Sequence, residues 1–273
     1  MSMQKQVALF AMFALAVPAT AISGVFYNNK GSFSSEHPRD AMANAWLVRV
    51  KPGAKAPFYW NVVKPRCPAH TPACRRRSYL VPGNIAVAAY TTGSFTVVEF
   101  VGPKGAETDG AIESRLLERI EAPKPAPQDW VGHWQDTDEQ DIVISRTTDP
   151  SVLTFLGNAT WGAHDPRRVK IGAVNSGDFS AYVRPVAEWG GFVAGLGDAN
   201  DPNYRFPALT AQKDLYTDWT QYFPRDAGNA DGTCRASFRL LGPYLVAYTP
   251  LYICGGMNVT FTGVYRRVAS HRG

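Results

Sequence analysis

The sequence predicts an all-β protein with a small β-barrel followed by a larger, about eight-stranded antiparallel barrel or sandwich. Short runs of β-branched and aromatic residues recur along the chain, separated by Gly, Pro, Asn and Asp, which favour turns. No long stretch repeats its apolar residues with the period of a helix. Four cysteines are the third observation, because disulfides often staple folds built from short strands.

The N-terminal segment, residues 1–21, has the pattern of a secretory signal peptide. Lys5 precedes an apolar run over residues 7–17, and small residues end the segment at Ala21. The run is too short to span a bilayer, which takes about 20 residues. We therefore expect export to the periplasm with cleavage near Ala21, and a flexible lead-in over residues 22–44.

The composition excludes some function classes. Hydrophobic residues make up 45% of the chain and charged residues 19%, as in a packed globular protein. The formal net charge of +5 falls to +4 when Lys5 leaves with the signal segment. This mildly basic balance fits attraction to anionic envelope surfaces and predicts no nucleic-acid partner. No second apolar stretch is long enough to predict a transmembrane segment.

Residues 45–121 are predicted to form the small barrel. Apolar Trp46, Val48 and Val50 alternate with other residues, which is typical of a half-buried strand. The further predicted strands are residues 58–63, 85–90 and 95–101, the last two joined by a hairpin turn at residues 91–94. Residues 111–121 are predicted as a short helix or a last strand.

The linker and the second domain follow. Pro stands at every second position between residues 122 and 127, which predicts a stiff linker over residues 122–128. Residues 129–268 are predicted to form the larger barrel, and residues 269–273 a tail. After the opening segment Asp129–Trp134, its predicted strands are residues 142–144, 152–157, 181–186, 191–197, 236–240, 244–248 and 259–265.

Two connections in this domain are long for hairpins, residues 198–207 and 216–232. Long structured loops are often functional. We therefore interpret them as candidate partner-binding loops, carried by Asp198, Asn200, Asp201, Tyr204, Tyr216, Trp219 and Tyr222.

The four cysteines allow three pairings. We favour Cys67–Cys74 with Cys234–Cys254, because each bridge then lies within one predicted domain. A metal site built from Cys67, His70 and Cys74 is the alternative, which an exported protein with two separate pairs disfavours. A catalytic cysteine is disfavoured because these pairings leave no free thiol.

A basic segment surrounds the first cysteine pair. Arg75, Arg76 and Arg77 follow Cys74 directly, and further cations precede the loop. The candidate function is an anion-binding patch for phosphate, lipid headgroups or an acidic protein. A solvated loop face is the favoured interpretation.

An acidic cluster follows Trp134. Its members are Asp136, Asp138, Glu139 and Asp141. Such carboxylates can hold a hard cation or act as acid and base in glycoside cleavage, but a solvated turn is the favoured interpretation. The sequence has no zinc-protease, nucleophile-elbow or P-loop motif. We therefore predict no enzyme, no catalytic residue, no metal and no cofactor.

The large aromatic residues of the second half are expected to fill the barrel interior. These tryptophans are Trp130, Trp134, Trp161, Trp189 and Trp219. A minority of such rings can line the mouth of a ligand site instead.

Residues 79–120 resemble a bacterial SH3-like (SH3b) domain. The matching motifs are Tyr79–Asn84, Phe95–Phe100 and Thr108–Ile112, with Ala111 where that family carries a Trp beside its peptide groove. The resemblance implies an SH3-like barrel that docks to cell-wall peptide or to a partner protein.

A second resemblance covers residues 234–267. It is to the C-terminal domain of exported proteobacterial proteins, some of them lysozyme-inhibitor-like. In addition, Gly132-x-Trp134 and Arg266 are similar to the corner of lipocalin and avidin barrels, where the terminal Arg packs on the Trp. These resemblances imply a disulfide-stapled, lipocalin-like barrel in a periplasmic binding protein, with Trp134 and Arg266 as its corner.

The predicted function is therefore non-enzymatic binding in the envelope, either inhibiting or neutralising a cell-wall-degrading enzyme (of lysozyme type or a delivered toxin) or docking to the cell wall. One alternative is a carrier of a small apolar ligand in the barrel. The other is a peptidoglycan hydrolase using Asp136, Asp138 or Glu139.

Overall fold

The computed structural model describes residues 44–53, 55–61, 64–103, 105–137, 139–193, 234–249 and 254–268. Within these ranges the chain is nearly all β, with one seven-stranded and one eight-stranded antiparallel sheet. The predicted all-β class is confirmed. The predicted signal segment, most of the lead-in, the tail, the two partner-binding loops and Asp138 lie outside the described residues.

The first sheet, sheet A, contains the strands of the N-terminal half. Its order is β3-β2-β6-β5-β4-β1-β7, so that β3 and β7 are its edges. A 3-10 turn, Ser114–Leu116, separates β6 from β7. The strands are β1 Trp46–Val50, β2 Ala56–Tyr59, β3 Arg75–Leu80, β4 Ile85–Thr92, β5 Phe95–Val101, β6 Glu107–Glu113 and β7 Leu117–Ile120.

Three predictions in this half need correction. The strand predicted at residues 58–63 is Ala56–Tyr59, and residues 111–121 form the end of β6, a 3-10 turn and β7 rather than one element. The basic segment that was interpreted as part of a loop forms β3. Its three consecutive arginines suit an edge strand, where long cationic side chains reach water on both faces.

The second sheet, sheet B, has the order β11-β10-β9-β8-β15-β14-β13-β12. Its end strands approach each other, so it is a nearly closed antiparallel barrel, as predicted. Short helices at Pro127–Trp130 and Pro166–Lys170 accompany it. The strands are β8 Gly132–Gln135, β9 Gln140–Arg146, β10 Leu153–Trp161, β11 Asn175–Val183, β12 Trp189–Val193, β13 Arg235–Leu241, β14 Tyr244–Tyr248 and β15 Gly263–Val268.

The last strand begins later than the predicted residue 259, because threonine side chains replace the ladder before it. The Phe261 N–H donates to Thr249 Oγ1 at 3.0 Å, and the Thr249 N–H donates to Thr262 Oγ1 at 3.0 Å. These bonds satisfy backbone donors that a continuous strand pair would otherwise satisfy.

Aromatic side chains fill the described part of the barrel interior. Trp130, Trp134, Phe155, Phe179, Phe238, Phe261 and Tyr265 are all buried in one cluster. The Phe155 and Phe238 rings lie 4.9 Å apart, and Phe179 meets Phe261 edge to face at 4.7 Å. A Cβ at position 157 would lie 2.2 Å from the Phe179 ring, so the core requires Gly157. This packing favours a solid core over a ligand cavity.

The two sheets share a buried layer. Apolar side chains of sheet A pack against those of sheet B; the shared cluster includes Leu47, Val87, Val101, Leu241, Tyr244, Val246 and Val264. Polar contacts also cross this layer. The Tyr244 hydroxyl donates to the Ile85 carbonyl at 2.5 Å, and the Val264 N–H donates to Glu99 Oε1 at 3.1 Å. The halves therefore meet through a packed interface.

Two disulfides join the pairs that we favoured from the sequence. Cys67 and Cys74 have Cα atoms 5.6 Å apart, and Cys234 and Cys254 have Cα atoms 4.6 Å apart. Because the sulfurs of Cys67 and Cys74 are bonded to each other, neither supplies the free thiolate that the alternative metal site needs. Among the described residues, no helix has the length and apolar character needed to cross a membrane.

Candidate functional site

The exposed end of sheet A carries a cluster of cationic and aromatic side chains, which we call the β3 edge. It consists of Arg75, Arg76 and Arg77 on β3, Trp60 just after β2, and Lys64 in the following turn. The Cys67–Cys74 bridge closes the loop that leads from Lys64 to β3. The structure thus brings all three arginines of the predicted anion patch to one border of the sheet.

Trp60 is the aromatic centre of the β3 edge. The Arg76 guanidinium lies 4.7 Å from the centroid of its ring, and the Lys64 ammonium lies 5.9 Å away. In spite of these neighbours Trp60 is 43% exposed. The backbone N–H of Trp60 donates to the Cys74 carbonyl at 2.7 Å, which fixes the residue against the bridged loop. The exposed part of the ring is apolar area that a protein interface could bury.

Arg76 is held in place from a second direction. Its Nη1 lies 3.6 Å from Asp109 Oδ1 and donates to the Asp109 carbonyl. The Gly110 backbone next to it passes so close to Tyr59 that a Cβ at position 110 would lie 2.7 Å from the Tyr59 carbonyl oxygen. The guanidinium is therefore pre-positioned over Trp60 rather than free in solvent.

The β3 edge offers cations on both faces of its strand. Exposed Arg75, Arg77 and Tyr79 alternate with partly buried Arg76 and Ser78. The arginines, Ser78 and Trp60 line a shallow depression of about 380 Å³. Beyond them, the Lys55 ammonium lies 4.8 Å from the Tyr79 ring centroid. The surface therefore combines positive charge with two exposed aromatic rings.

A histidine in the bridged loop connects it to the neighbouring hairpin. His70 Nε2 lies 3.3 Å from Ser94 Oγ, and the His70 ring lies 4.7 Å from the Phe95 ring. His70 Nδ1 is 3.7 Å from Glu113 Oε1, a separation longer than a hydrogen bond. These contacts anchor the loop on the β4–β5 turn.

Glu113 is already engaged by other donors. Its Oε1 accepts from the Tyr59 hydroxyl at 3.2 Å, and its Oε2 accepts from Arg115 Nε at 2.7 Å. Burial, and then the bond to Glu113 and its charge, raise the pKa of Tyr59. Ser94, His70 and Glu113 are the residue types of a hydrolase triad, but a triad needs its acid hydrogen-bonded to the histidine. The arrangement therefore fits a structural anchor better than a nucleophile.

The acidic cluster after Trp134 is divided by the fold. Asp136 is 5% exposed, so the predicted solvated turn is wrong for this residue. Its carboxyl meets Glu99, which is 1% exposed, and Glu107 of sheet A, with oxygens all within 4.8 Å of one another. Carboxylates this close repel one another when ionised. A polysaccharide cannot reach buried Asp136, which leaves the hydrolase alternative without support from this residue.

The other described members of that cluster face different partners. The His164 N–H donates to Glu139 Oε1 at 3.1 Å. Asp141 Oδ2 lies 3.2 Å from His133 Nε2. The sequence cluster is therefore not a single site in the structure.

The barrel corner uses a different arginine from the one predicted. Arg267 lies over Trp134, whereas the Arg266 guanidinium lies 5.8 Å from the Tyr244 ring and Nη1 donates to the Val101 carbonyl at 2.9 Å. Successive residues of a strand point to opposite faces. Since Tyr265 points into the barrel, Arg266 points away from it, towards sheet A.

A second arginine–tryptophan pair lies on sheet B, remote in sequence from the β3 edge. The Arg168 guanidinium, in the short helix Pro166–Lys170, lies 3.8 Å from the Trp161 ring centroid. Trp161 is only partly buried. This pair offers the same chemistry without the edge strand and the run of arginines, so it provides a matched control for the β3 edge.

Sequence reasoning identified the arginines but missed Trp60 and Tyr79. The signal was present, because Trp60 stands four residues before Lys64 in the most basic part of the chain. No protein-family model, curated protein or solved structure matches the chain.

Proposed function

We propose that the protein is a non-enzymatic binding protein of the bacterial cell envelope, and that the β3 edge binds an acidic protein partner. The envelope location is supported by the predicted signal segment and by the two disulfides, which persist in oxidising compartments. The SH3-like resemblance of residues 79–120 agrees with a docking role for this half.

One observation carries the proposal: an exposed Trp60 ring held beneath the Arg76 guanidinium. Tryptophan and arginine are the residue types most enriched where protein interfaces derive their affinity. Here they occur together, with Arg75 and Arg77 beside them to attract negative charge.

The site is also organised before a partner arrives. The Cys67–Cys74 bridge, the Asp109–Arg76 contacts and the Trp60–Cys74 backbone bond restrict the side chains that would contact a partner. Binding then costs less conformational entropy than it would on a flexible loop.

Neutralising a cell-wall-degrading enzyme is the specific activity that we propose for such a protein, in line with the lysozyme-inhibitor-like resemblance of residues 234–267. Titration against a panel of muramidases tests it. Inhibition at stoichiometric concentrations is expected for at least one enzyme, and unchanged activity at micromolar excess would reject this activity but not the binding role. The carrier alternative has less support, because aromatic side chains fill the described barrel core.

Affinity capture from a periplasmic extract tests the binding proposal. Wild type is compared with the Trp60→Ala, Arg76→Ala variant and with the matched control Trp161→Ala, Arg168→Ala. We expect a partner, identified by mass spectrometry, that wild type and control retain and that the β3-edge variant loses.

Sedimentation with purified peptidoglycan runs in parallel. Binding to peptidoglycan that depends on Trp60 and Arg76, without any protein partner, would show that the surface docks to the cell wall instead. Capture of the same partners by wild type and by both variants would contradict a binding role for the β3 edge.

A further inference from the structure

The position of β3 in its sheet suggests how a partner binds. We propose that β3 accepts an acidic peptide segment, in extended conformation, as an additional strand of sheet A. This inference rests on the proposed function and specifies the binding mode and the chemistry of the bound segment.

The outer edge of β3 is available in the described structure. β3 is the terminal strand of sheet A, and among the described strands only β2 pairs with it. An edge strand presents backbone N–H and C=O groups that a second extended chain can satisfy. Peptide recognition by strand addition uses such an edge, with main-chain bonds giving affinity and side chains giving specificity.

The spacing of the cations matches an extended chain. Arg75 and Arg77 are both exposed and flank partly buried Arg76, on a strand whose register shifts between Pro57 and Tyr59 of β2. Residues two apart on an extended chain are about 7 Å from each other. Residues two apart on an added strand have the same separation. Carboxylates at every second position of the segment would therefore lie opposite Arg75 and Arg77 as favourable cross-strand pairs.

The aromatic rings extend this match. Tyr79 continues the exposed positions of Arg75 and Arg77, and Trp60 lies beside Arg76. Apolar side chains at the intervening positions of the segment would have Trp60 to contact. An alternating acidic and apolar segment is thus the sequence class that the β3 edge fits.

The same arginines disfavour pairing of the edge with a second copy of itself. Two copies of β3 placed side by side would bring like charges together, which disfavours edge-to-edge association. An acidic segment would instead place opposite charges across the strand pair. The arginines therefore favour an acidic partner strand over a second copy of this chain.

The test uses a fluorescein-labelled peptide of about eight residues, the length of a long strand, with alternating Glu and Val. A second peptide carries the same side chains but N-methyl groups on the amides that would donate to β3. Fluorescence anisotropy measures the affinity of each for the full-length protein. We expect the N-methylated peptide to bind at least about tenfold more weakly, because methylation removes the backbone donors without changing charge.

Protein variants identify the surface. Arg75→Glu, Arg77→Glu should weaken binding of the unmethylated peptide by at least about tenfold. Arg167→Glu, Arg168→Glu, in the short helix Pro166–Lys170, should change it less than about twofold. Circular dichroism and a native-like unfolding temperature verify that the variants fold. A β3-edge variant that does not fold is replaced by Arg77→Ala, with a smaller loss expected in the same direction.

Three outcomes would overturn the inference. Equal affinity for both peptides would show that charge alone attracts the segment, which rejects strand addition and leaves the proposed function intact. No binding of either peptide, with partner capture still dependent on Trp60 and Arg76, would likewise reject strand addition alone. If the wild-type protein binds neither peptide and captures no partner from periplasmic extract, strand addition and the proposed function are rejected together.

Discussion

The guanidinium of Arg267 lies 4.7 Å from the centroid of the Trp134 ring and covers the end of the barrel core. Arg267 also donates to the Asp129 carbonyl, which ties the last strand to the segment that enters the first strand of sheet B. Gly132 leaves room for this arginine, since a Cβ there would lie 3.0 Å from Arg267 Nε and its φ of +154° disfavours other residues. These contacts hold β8 and β15, the first and last strands of sheet B along the chain, against each other.

Replacing this arginine tests the corner. Arg267→Ala is expected to lower the free energy of unfolding by about 1 kcal/mol, because it removes a cation–π contact and a hydrogen bond. Urea unfolding followed by tryptophan fluorescence measures the change. Arg146→Ala, at an exposed position on β9, is the control and should change stability by less than about 0.5 kcal/mol. Equal effects of the two substitutions would contradict a special role for Arg267.

The interface between the sheets should weaken in alkali. Burial raises the pKa of Tyr244 to about 12, above its ordinary value of 10.0. Between these values the unfolded chain loses the phenolic proton before the folded chain does. The stabilisation is therefore complete below pH 10 and is lost as pH rises towards 12.

Unfolding experiments across this window, with Tyr244→Phe as the comparison, check the assignment. The variant should show a shallower loss of stability with rising pH, although not a flat one, because burial also raises the pKa of Tyr265 well above its ordinary value. At neutral pH it should be less stable by about 1 kcal/mol, since the hydrogen bond to the Ile85 carbonyl is lost. An unchanged alkaline slope would refute a buried, protonated Tyr244 at the interface.

The three carboxyls that meet between the sheets, those of Glu99, Glu107 and Asp136, should lower the stability of the fold. Glu107→Gln removes one of three carboxyls whose oxygens lie within 4.8 Å of one another. We expect this substitution to raise the free energy of unfolding by about 1 kcal/mol at pH 8, because it relieves like-charge repulsion at low solvent exposure. Glu121→Gln, at an exposed position after β7, is the matched control. A destabilised Glu107→Gln protein would mean that the negative charge of Glu107 is needed.

The bridged loop should matter for binding as well as for stability. The Cys67→Ser, Cys74→Ser variant is expected to lose about 2 kcal/mol of stability, which the chain-entropy model assigns to a short closed loop. It should also weaken binding of the acidic peptide, because Trp60 and Arg76 lose the framework that positions them. Calorimetry and anisotropy measure the two effects. Full peptide affinity in this variant would show that the bridge serves stability alone.

The sequence predicted most where local chemistry decides the structure. Strands β4 and β5 carry long β-branched and aromatic runs around a Gly93 turn. The number of barrel strands followed from the same alternation. These features depend on turn residues and burial patterns that are visible along the chain.

The predictions that failed depend on contacts remote in sequence. The three arginines of β3 show no alternation of apolar and polar residues, so the sequence did not predict a strand there. Its pairing with β2 defines the strand in the structure. The burial of Asp136 depends on Glu99 and Glu107 from the other sheet. The choice of Arg267 over Arg266 depends on the register of β15 against β8, which pairs Arg267 with Trp134. A shift of one residue reverses which arginine faces the ring.

The most direct test of the binding proposal is the affinity of the alternating acidic peptide for the Trp60→Ala, Arg76→Ala variant, measured by anisotropy beside wild type and the Trp161→Ala, Arg168→Ala control. The account predicts at least about tenfold weaker binding to the β3-edge variant, wild-type affinity for the control, and a further loss with added salt. The same affinity for all three proteins would contradict the assignment of the β3 edge as the binding surface.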